Sequence, residues 1–403
     1  MKKYSAVITL VLLGGILLTL SVLDFCKRDR LYSAYENRLL AQKPEFGLTG
    51  LLSGDYTEAY EEYITDQFVF RDNWIFLKTG TDVLLGKKEI NGVYLAKDGT
   101  MIEQHLPEEI DEETVEKRLE LLQRLAVWQA ERQEEAEDRA DGQNAADDVA
   151  DHTAGNLYVM LVPTADNIRT EQLPNYAGYY VQEPFIAKAA SIIGENGVID
   201  VRETLLAHKE EYIYYGTDHH WTTRGAYYGY LAWALAAGVE PVSYDVRTVS
   251  HDFLGTLHSM THWPVTPDTI EAYMPGGAEE EEAVFRVYYD FAEDPKDSIY
   301  EPAHLDTKNQ YAYFLDDNHP FMQIERTNPP QEAQGKSLFI LKDSYANCMI
   351  PFLTEHYETI YVMDLRYYYG KLLPLLDEYG AEGEMDLLIC YNVIHFIEEF
   401  QYY

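Results

Sequence analysis

The sequence predicts an α/β protein, with a mostly parallel central sheet between two layers of helices and one transmembrane helix ahead of it. Three observations predict this. Apolar runs of strand length recur at residues 157–162, 337–341, 357–363 and 385–390, without the polar alternation of a half-exposed strand. Segments of helical spacing separate them, as crossover connections in a layered α/β domain do. The 403 residues, 46% of them hydrophobic, can fill one large core or two smaller ones.

The N-terminal helix comes first. Lys2 and Lys3 precede an uncharged stretch, residues 4–23, rich in Leu, Val and Ile. Twenty helical residues span about 30 Å, the thickness of a bilayer's hydrocarbon core. A secretory leader has a shorter apolar core and a small-x-small cleavage site. Asp24-Phe25-Cys26-Lys27-Arg28 offers no such site, and Phe25 before Cys26 does not suit lipoprotein attachment. Residues 1–25 therefore read as an uncleaved anchor, with Lys2 and Lys3 inside. The expected location is the cell membrane, single-pass, with the main body extracytoplasmic. Lys27, Arg28 and Arg30 on the far flank weaken that orientation.

Residues 26–80 read as a stem and lead-in helix, with Tyr56, Tyr60, Tyr63 and Ile64 at helical spacing. The aromatic run 68–77 is expected to dock on the main body, residues 81–403. There, Asn91-Gly92-Val93-Tyr94-Leu95 followed by Lys97-Asp98-Gly99 reads as strand, turn and strand. A helix is expected from Asp111 to about Trp128. Residues 131–155 are acidic and almost free of large apolar side chains, hence a solvated, mobile insertion. Residues 279–282 form a second acidic loop. Further helices are expected over 223–237, from about Tyr345, and over 367–379, with a short apolar run at 198–201.

Composition narrows the function. A formal charge of −38 leaves no basic surface for phosphate backbones, which excludes nucleic acid as a partner. Three cysteines and no CxxC pair exclude a disulfide framework and a zinc knuckle. Thirty-four tyrosines suit contact with sugars, although most tyrosines simply pack with the hydroxyl at the surface.

Two segments carry chemistry. In Thr217-Asp218-His219-His220-Trp221-Thr222, Asp218 and His220 stand at i and i+2, on one side of an extended chain, with His219 on the other. In Lys342-Asp343-Ser344-Tyr345-Ala346-Asn347 a buried strand runs into a helix, at the carboxyl edge of the sheet where α/β sites lie. Serine needs a base and an orienting carboxylate to act as a nucleophile, so Asp218, His220 and Ser344 form the candidate triad. The Ser344 N–H is the first candidate oxyanion donor, and Asn347, Asn91 and Arg366 are candidates for the second or for substrate binding. Other readings stay open: Ser344 as a helix cap, Arg366 as a surface ion pair, and Asp-His-His as metal ligands. Adjacent histidines seldom reach one ion and no HExxH-like spacing accompanies them, so no metal is assigned. Cys348 and Cys390 read as buried packing thiols.

At these residues the chain resembles the DHHW family of bacterial exported proteins. The likeness extends through Arg71-Asp72-Asn73-Trp74, residues 91–99, Val162-Pro163, Phe253-Leu254-Gly255-Thr256, residues 314–320, Lys342 to Asn347 and Asp364-Leu365-Arg366. That family is similar to the SGNH-like domains of alginate O-acetyltransferases, in which an Asp-x-His pair precedes the serine. The resemblance implies a three-layer SGNH-hydrolase-like fold, with Asp218, His220 and Ser344 in the triad positions. It implies an extracytoplasmic O-acetyltransferase passing acetyl through a serine ester to a cell-surface or secreted polysaccharide. No cofactor is expected; the acetyl donor would come from a multispanning membrane O-acyltransferase partner. The same triad serves a carbohydrate esterase, and a non-catalytic scaffold of a polysaccharide-modification complex is the remaining alternative.

Overall fold

The structure, a computed structural model, describes every residue except Met1, Ala34, Asn37, 143–154, 195–196, 276–283 and Gly383. It has two compact units, Met1–Asn91 with His258–Pro264, and Gly92–Leu257 with Val265–Tyr403. The first unit thus runs past residue 80, the boundary expected from sequence, and includes a short segment from much later in the chain.

The first unit holds helices α1 (Lys2–Cys26), α2 (Leu48–Ser53), α3 (Asp55–Asp66) and α4 (Arg71–Leu84). Residues Val7–Cys26 of α1 are long and apolar enough to cross a membrane, and none of them is buried. Ion pairs bind the rest of the unit. The buried Asp66 carboxylate accepts from the Arg38 guanidinium at 2.6 Å and from the Ala41 N–H at 2.8 Å, and Arg71 meets Glu36 at 2.7 Å. Asn91, in this unit, donates its side-chain amide to the Met260 carbonyl at 2.8 Å. Within the aromatic run 68–77, Val69 is buried, and Phe68, Phe70, Trp74, Phe76 and Leu77 are exposed.

The second unit begins with a hairpin of β1 (Val93–Leu95) and β2 (Met101–Glu103), with Gly99 at φ 88° in its turn. Only glycine adopts that backbone without strain. Helix α5 (Glu112–Gly142) extends beyond the expected end at Trp128. The rest of the expected insertion, 143–154, and the acidic loop 279–282 lie outside the described residues.

The central sheet comprises β3 (Leu157–Val162), β6 (Phe285–Tyr289), β7 (Phe321–Arg326), β8 (Ser337–Lys342), β9 (Thr359–Met363) and β10 (Met385–Asn392), in the order β3-β10-β8-β9-β7-β6. Pairings among β3, β10, β8 and β9 are parallel; β7 and β6 add antiparallel pairs at one edge. In the chain between β3 and β6 come α6 (Glu183–Ile193), α7 (Thr223–Ala237), and a hairpin of β4 (Tyr244–Phe253) with β5 (Asp268–Pro275).

Alternation along the strands sorts the core into two layers. Met160, Leu338, Ile340, Leu388 and Cys390 face one cluster, with Tyr230 and Trp233 of α7. Val159, Leu161, Phe339, Leu341 and Ile389 face the other, with Leu122 and Leu125 of α5 and Phe185 of α6. Helices α8 (Leu372–Tyr379) and α9 (Val393–Glu399) complete the second layer through Leu376 and Phe396. Burial on both faces is why these strands are apolar throughout.

Some expected elements are shorter. Residues 198–201 give a single bridge from Val198 to Val159, after which a helix starts at Val201. The helix expected from Tyr345 is a 3-10 turn, Ser344–Cys348, and then Ile350–Leu353, with Pro351 in its first turn. The helix expected over 367–379 begins only at Leu372.

Candidate active site

The carboxyl ends of β8 and β10 set the site. After Lys342 the chain turns at Asp343, whose side chain accepts the Tyr345 N–H at 2.9 Å and so caps the turn that carries Ser344. The Ser344 N–H has no acceptor among the described residues. Beside it, Asn392 ends β10, caps α9 through the His395 N–H at 2.8 Å, and donates its own N–H to Asp343 at 3.0 Å. Cross-strand hydrogen bonds thus hold the serine turn to the neighbouring strand end.

The Asp-His-His segment reaches that turn from just ahead of α7. Tyr214 bridges Trp221, and the Trp221 indole N–H donates to the Tyr345 carbonyl at 2.7 Å. The Tyr345 hydroxyl returns a hydrogen bond to the His219 carbonyl. So held, Asp218 Oδ1 meets His220 Nδ1 at 2.5 Å and His220 Nε2 meets Ser344 Oγ at 2.7 Å. Asp218, His220 and Ser344 are 5–6% exposed, which shields the relay from water without sealing it.

The second Asp218 oxygen accepts the Thr256 N–H at 2.8 Å. Gly255 is required beside it, since a Cβ there would lie 2.3 Å from Asp218 Oδ2. Burial opposes ionisation of Asp218, but the neighbouring imidazoles and the bonds from His220 and Thr256 outweigh it and hold the carboxyl well below its usual range. This arrangement keeps a charged carboxylate on Nδ1 and leaves Nε2 to accept the serine proton.

The wall is aromatic and titratable. Tyr311 stacks on His220 with ring centres 4.0 Å apart, and its hydroxyl donates to the Ser344 carbonyl at 3.0 Å. Burial and the adjacent His220 push His219 down to about 4, so it is neutral at physiological pH. His395 places Nδ1 2.8 Å from Asp343, making a second Asp–His pair. Burial lowers the pKa of His395, but the bond to Asp343 and the charges of Asp343 and Glu399 raise it overall. His105 lies between Asp166 at 3.2 Å and Glu103 at 3.6 Å; burial opposes its charge, yet these acids raise it to about 10.

The structure brings three of the expected site residues together, Asp218, His220 and Ser344. Asn347 and Arg366 are committed elsewhere. Asn347 accepts from the fully buried Lys342 ammonium at 2.9 Å and donates to Asn318 at 3.3 Å. Arg366 binds the buried Asp364 carboxylate through two nitrogens, at 2.9 and 2.6 Å. Asn91 belongs to the first unit and to Met260. Asp218, His219 and His220 hold potential metal-binding atoms within 4.8 Å of one another. The lone pairs of Asp218 and His220 are largely spent on the relay and on Thr256.

Sequence reasoning missed His395, Asp343 as its partner, and Tyr311. Asp343 sits directly before the serine, a signal that was available. His395 and Tyr311 stand alone in sequence, and only the packing joins them to the site.

An α/β unit with an Asp–His–Ser relay at the carboxyl edge of its parallel strands defines a recognisable class of fold and site. A family profile described as DHHW protein matches residues 140–363, over half the chain, and the protein belongs to that family. It is similar to the crystal structure of a DHHW family protein from Eubacterium siraeum, with a TM-score of 0.57 and 24% identity, over 77% of this chain and 94% of that one. It is also similar to Bacillus cereus PatB1 with a sulfonyl adduct, with a TM-score of 0.56 and 19% identity, over 75% and 95% of the two chains. The O-acetyltransferase domain of Pseudomonas putida AlgJ aligns more loosely, with a TM-score of 0.41 and 15% identity, over 76% and 93%. No curated protein matches the sequence.

Proposed function

We propose that the protein is an extracytoplasmic O-acetyltransferase that moves an acetyl group through a Ser344 ester to a polysaccharide hydroxyl. The observation that carries this reading is the unbroken hydrogen-bonded relay from Asp218 through His220 to Ser344 Oγ, at 2.5 and 2.7 Å. The sequence resemblance to the SGNH-like domains of alginate O-acetyltransferases suggests the acyl group and the acceptor class.

The steps balance. Ser344 Oγ attacks the acetyl carbonyl of the donor while His220 Nε2 takes the hydroxyl proton. The negative oxygen of the tetrahedral intermediate is stabilised by the Ser344 N–H. As the intermediate collapses, the donor's leaving group departs with the proton from His220, and acetyl remains on Ser344. His220 then removes the proton of a sugar hydroxyl, which attacks the ester; Ser344 recovers its proton and acetylated sugar leaves. Asp218 orients His220 and offsets its transient charge. Transfer outruns hydrolysis when a bound sugar is held at high effective concentration against the ester. A multispanning membrane acyltransferase would deliver the acetyl donor, and the chain itself needs no bound cofactor.

The test is incubation of the full chain with an activated acetyl ester and oligosaccharides. Acetylated sugar and a Ser344 acetyl adduct seen by mass spectrometry are expected. Ser344→Ala should abolish both, a loss of roughly 10⁴-fold or more, with the melting temperature unchanged. Release of acetate alone would make the protein an esterase. Retention of transfer by Ser344→Ala would sink the relay, and normal acetylation in a Ser344→Ala strain would leave a scaffold.

A further inference from the structure

The first unit carries exposed aromatic side chains where they would meet lipid. The end of α1 is tied to the turn between α3 and α4. Asp24 Oδ1 accepts the Val69 N–H at 2.9 Å, and Tyr63 donates its hydroxyl to Asp29 at 3.0 Å. The Arg30 N–H donates to Gln67 at 2.9 Å, and the Arg30 guanidinium meets Asp72 at 2.8 Å. These bonds leave no free stem between the apolar helix and the rest of the unit, so the depth of α1 fixes the depth of residues 67–74.

Four large rings surround that joint. Phe25 is 89% exposed, and Phe68 and Phe70 flank Val69 in the chain at 42% and 56%. Trp74, 43% exposed, donates its indole N–H to the Val69 carbonyl at 3.1 Å, so its polar atom is satisfied while its ring is open. Phe70 has φ 57°, a left-handed conformation that strains a bulky residue. Lys27 and Arg28 stand in the same stretch. Aromatic rings with adjacent cations, at the end of a bilayer-length apolar helix, have the composition of a membrane–water interface.

We propose that Phe25, Phe68, Phe70 and Trp74 form a bilayer-contact surface, so that the first unit rests in the headgroup region of the membrane α1 enters. The occupant is lipid because the joint lies at the last residues of the apolar helix, the depth at which hydrocarbon gives way to headgroups. This does not depend on the acetyl-transfer reading.

The experiment reconstitutes the full chain into vesicles of zwitterionic and anionic phospholipid containing nitroxide quenchers at shallow or deep positions. Tryptophan emission is compared between the wild type and Trp74→Phe. Shallow quenching should remove up to the share that one of five tryptophans contributes, and Trp74→Phe should lose that component. Phe70→Asn, which tolerates the left-handed backbone but lacks the ring, should weaken it. Equal quenching of wild type and Trp74→Phe would overturn the proposal. So would shielding of Trp74 from both lipid-borne and aqueous quenchers, which would mean a protein cover. An exported chain whose mature N-terminus lies beyond residue 25 would overturn it as well.

Discussion

Two aspartate–histidine pairs meet at the serine turn, and they are built alike. Asp218 holds His220 at Nδ1 and takes the Thr256 N–H; Asp343 holds His395 at Nδ1 and takes the N–H groups of Tyr345 and Asn392. They differ at the other ring nitrogen. His220 Nε2 rests on Ser344 Oγ at 2.7 Å, whereas His395 Nε2 has no hydrogen-bond partner among the described residues and its side chain is 20% exposed. A carboxylate on an imidazole therefore does not by itself make a base. The third contact separates them: the first pair meets the serine hydroxyl, and the second holds the backbone that presents it.

The largest effect expected from this contrast is at Asp218. Asp218→Asn keeps the size of the side chain but can donate to Nδ1, favouring the wrong tautomer of His220. Ser344 labelling by a sulfonyl fluoride should slow roughly 10³- to 10⁴-fold, with secondary structure intact by circular dichroism. A loss of less than about tenfold would mean that the two pairs are not functionally distinct.

His395→Leu should do much less to the rate, slowing labelling by about three- to tenfold through a looser turn. Its clearer mark is on stability. The folded pKa of His395 is raised above its unfolded value of about 6.5, so the stabilisation by its charge is full below that value. It fades as pH climbs through the raised pKa. Groups facing the ring are Asp343, Glu399, Arg366, His219, Tyr345 and Glu103. The wild type should exceed His395→Leu by about 1–2 kcal/mol near pH 6, and denaturant curves should converge at alkaline pH. A gap that widens with pH would reverse the assignment of charge.

The contrast also marks what could be read from sequence. Strands β3, β8, β9 and β10 were legible because burial on both faces makes them continuously apolar, and Asp218 with His220 because two residues in an extended chain share a side. The edge strands β6 and β7 were not legible: Gln323 and Glu325 alternate with apolar neighbours, and their place in the sheet depends on antiparallel partners distant in sequence. Asn347 and Arg366 are close in sequence to reactive positions, yet Lys342 and Asp364, both fully buried, engage them. A buried charge takes whichever partner lies near, and sequence proximity does not reveal that demand. His395 escaped notice because α9 brings it back to Asp343 across 52 residues.

Tyr311 gives the smallest and finest test. Its ring stacks on His220 at 13° between planes, while its hydroxyl serves the Ser344 carbonyl and lies 3.4 Å from Cys348 Sγ. Tyr311→Phe keeps the stack and removes only the donor, leaving a buried carbonyl short of one hydrogen bond. The cost should be about 1 kcal/mol, or roughly 2–4 °C in melting temperature, with labelling of Ser344 within about threefold of wild type. Tyr311→Leu removes the stack too, and should slow labelling further by freeing the His220 ring to tilt away from Oγ. If the phenylalanine variant fell as far as Asp218→Asn, the hydroxyl would be acting on the reaction itself. The division between groups that move the proton and groups that hold the turn would then run through Tyr311 as well.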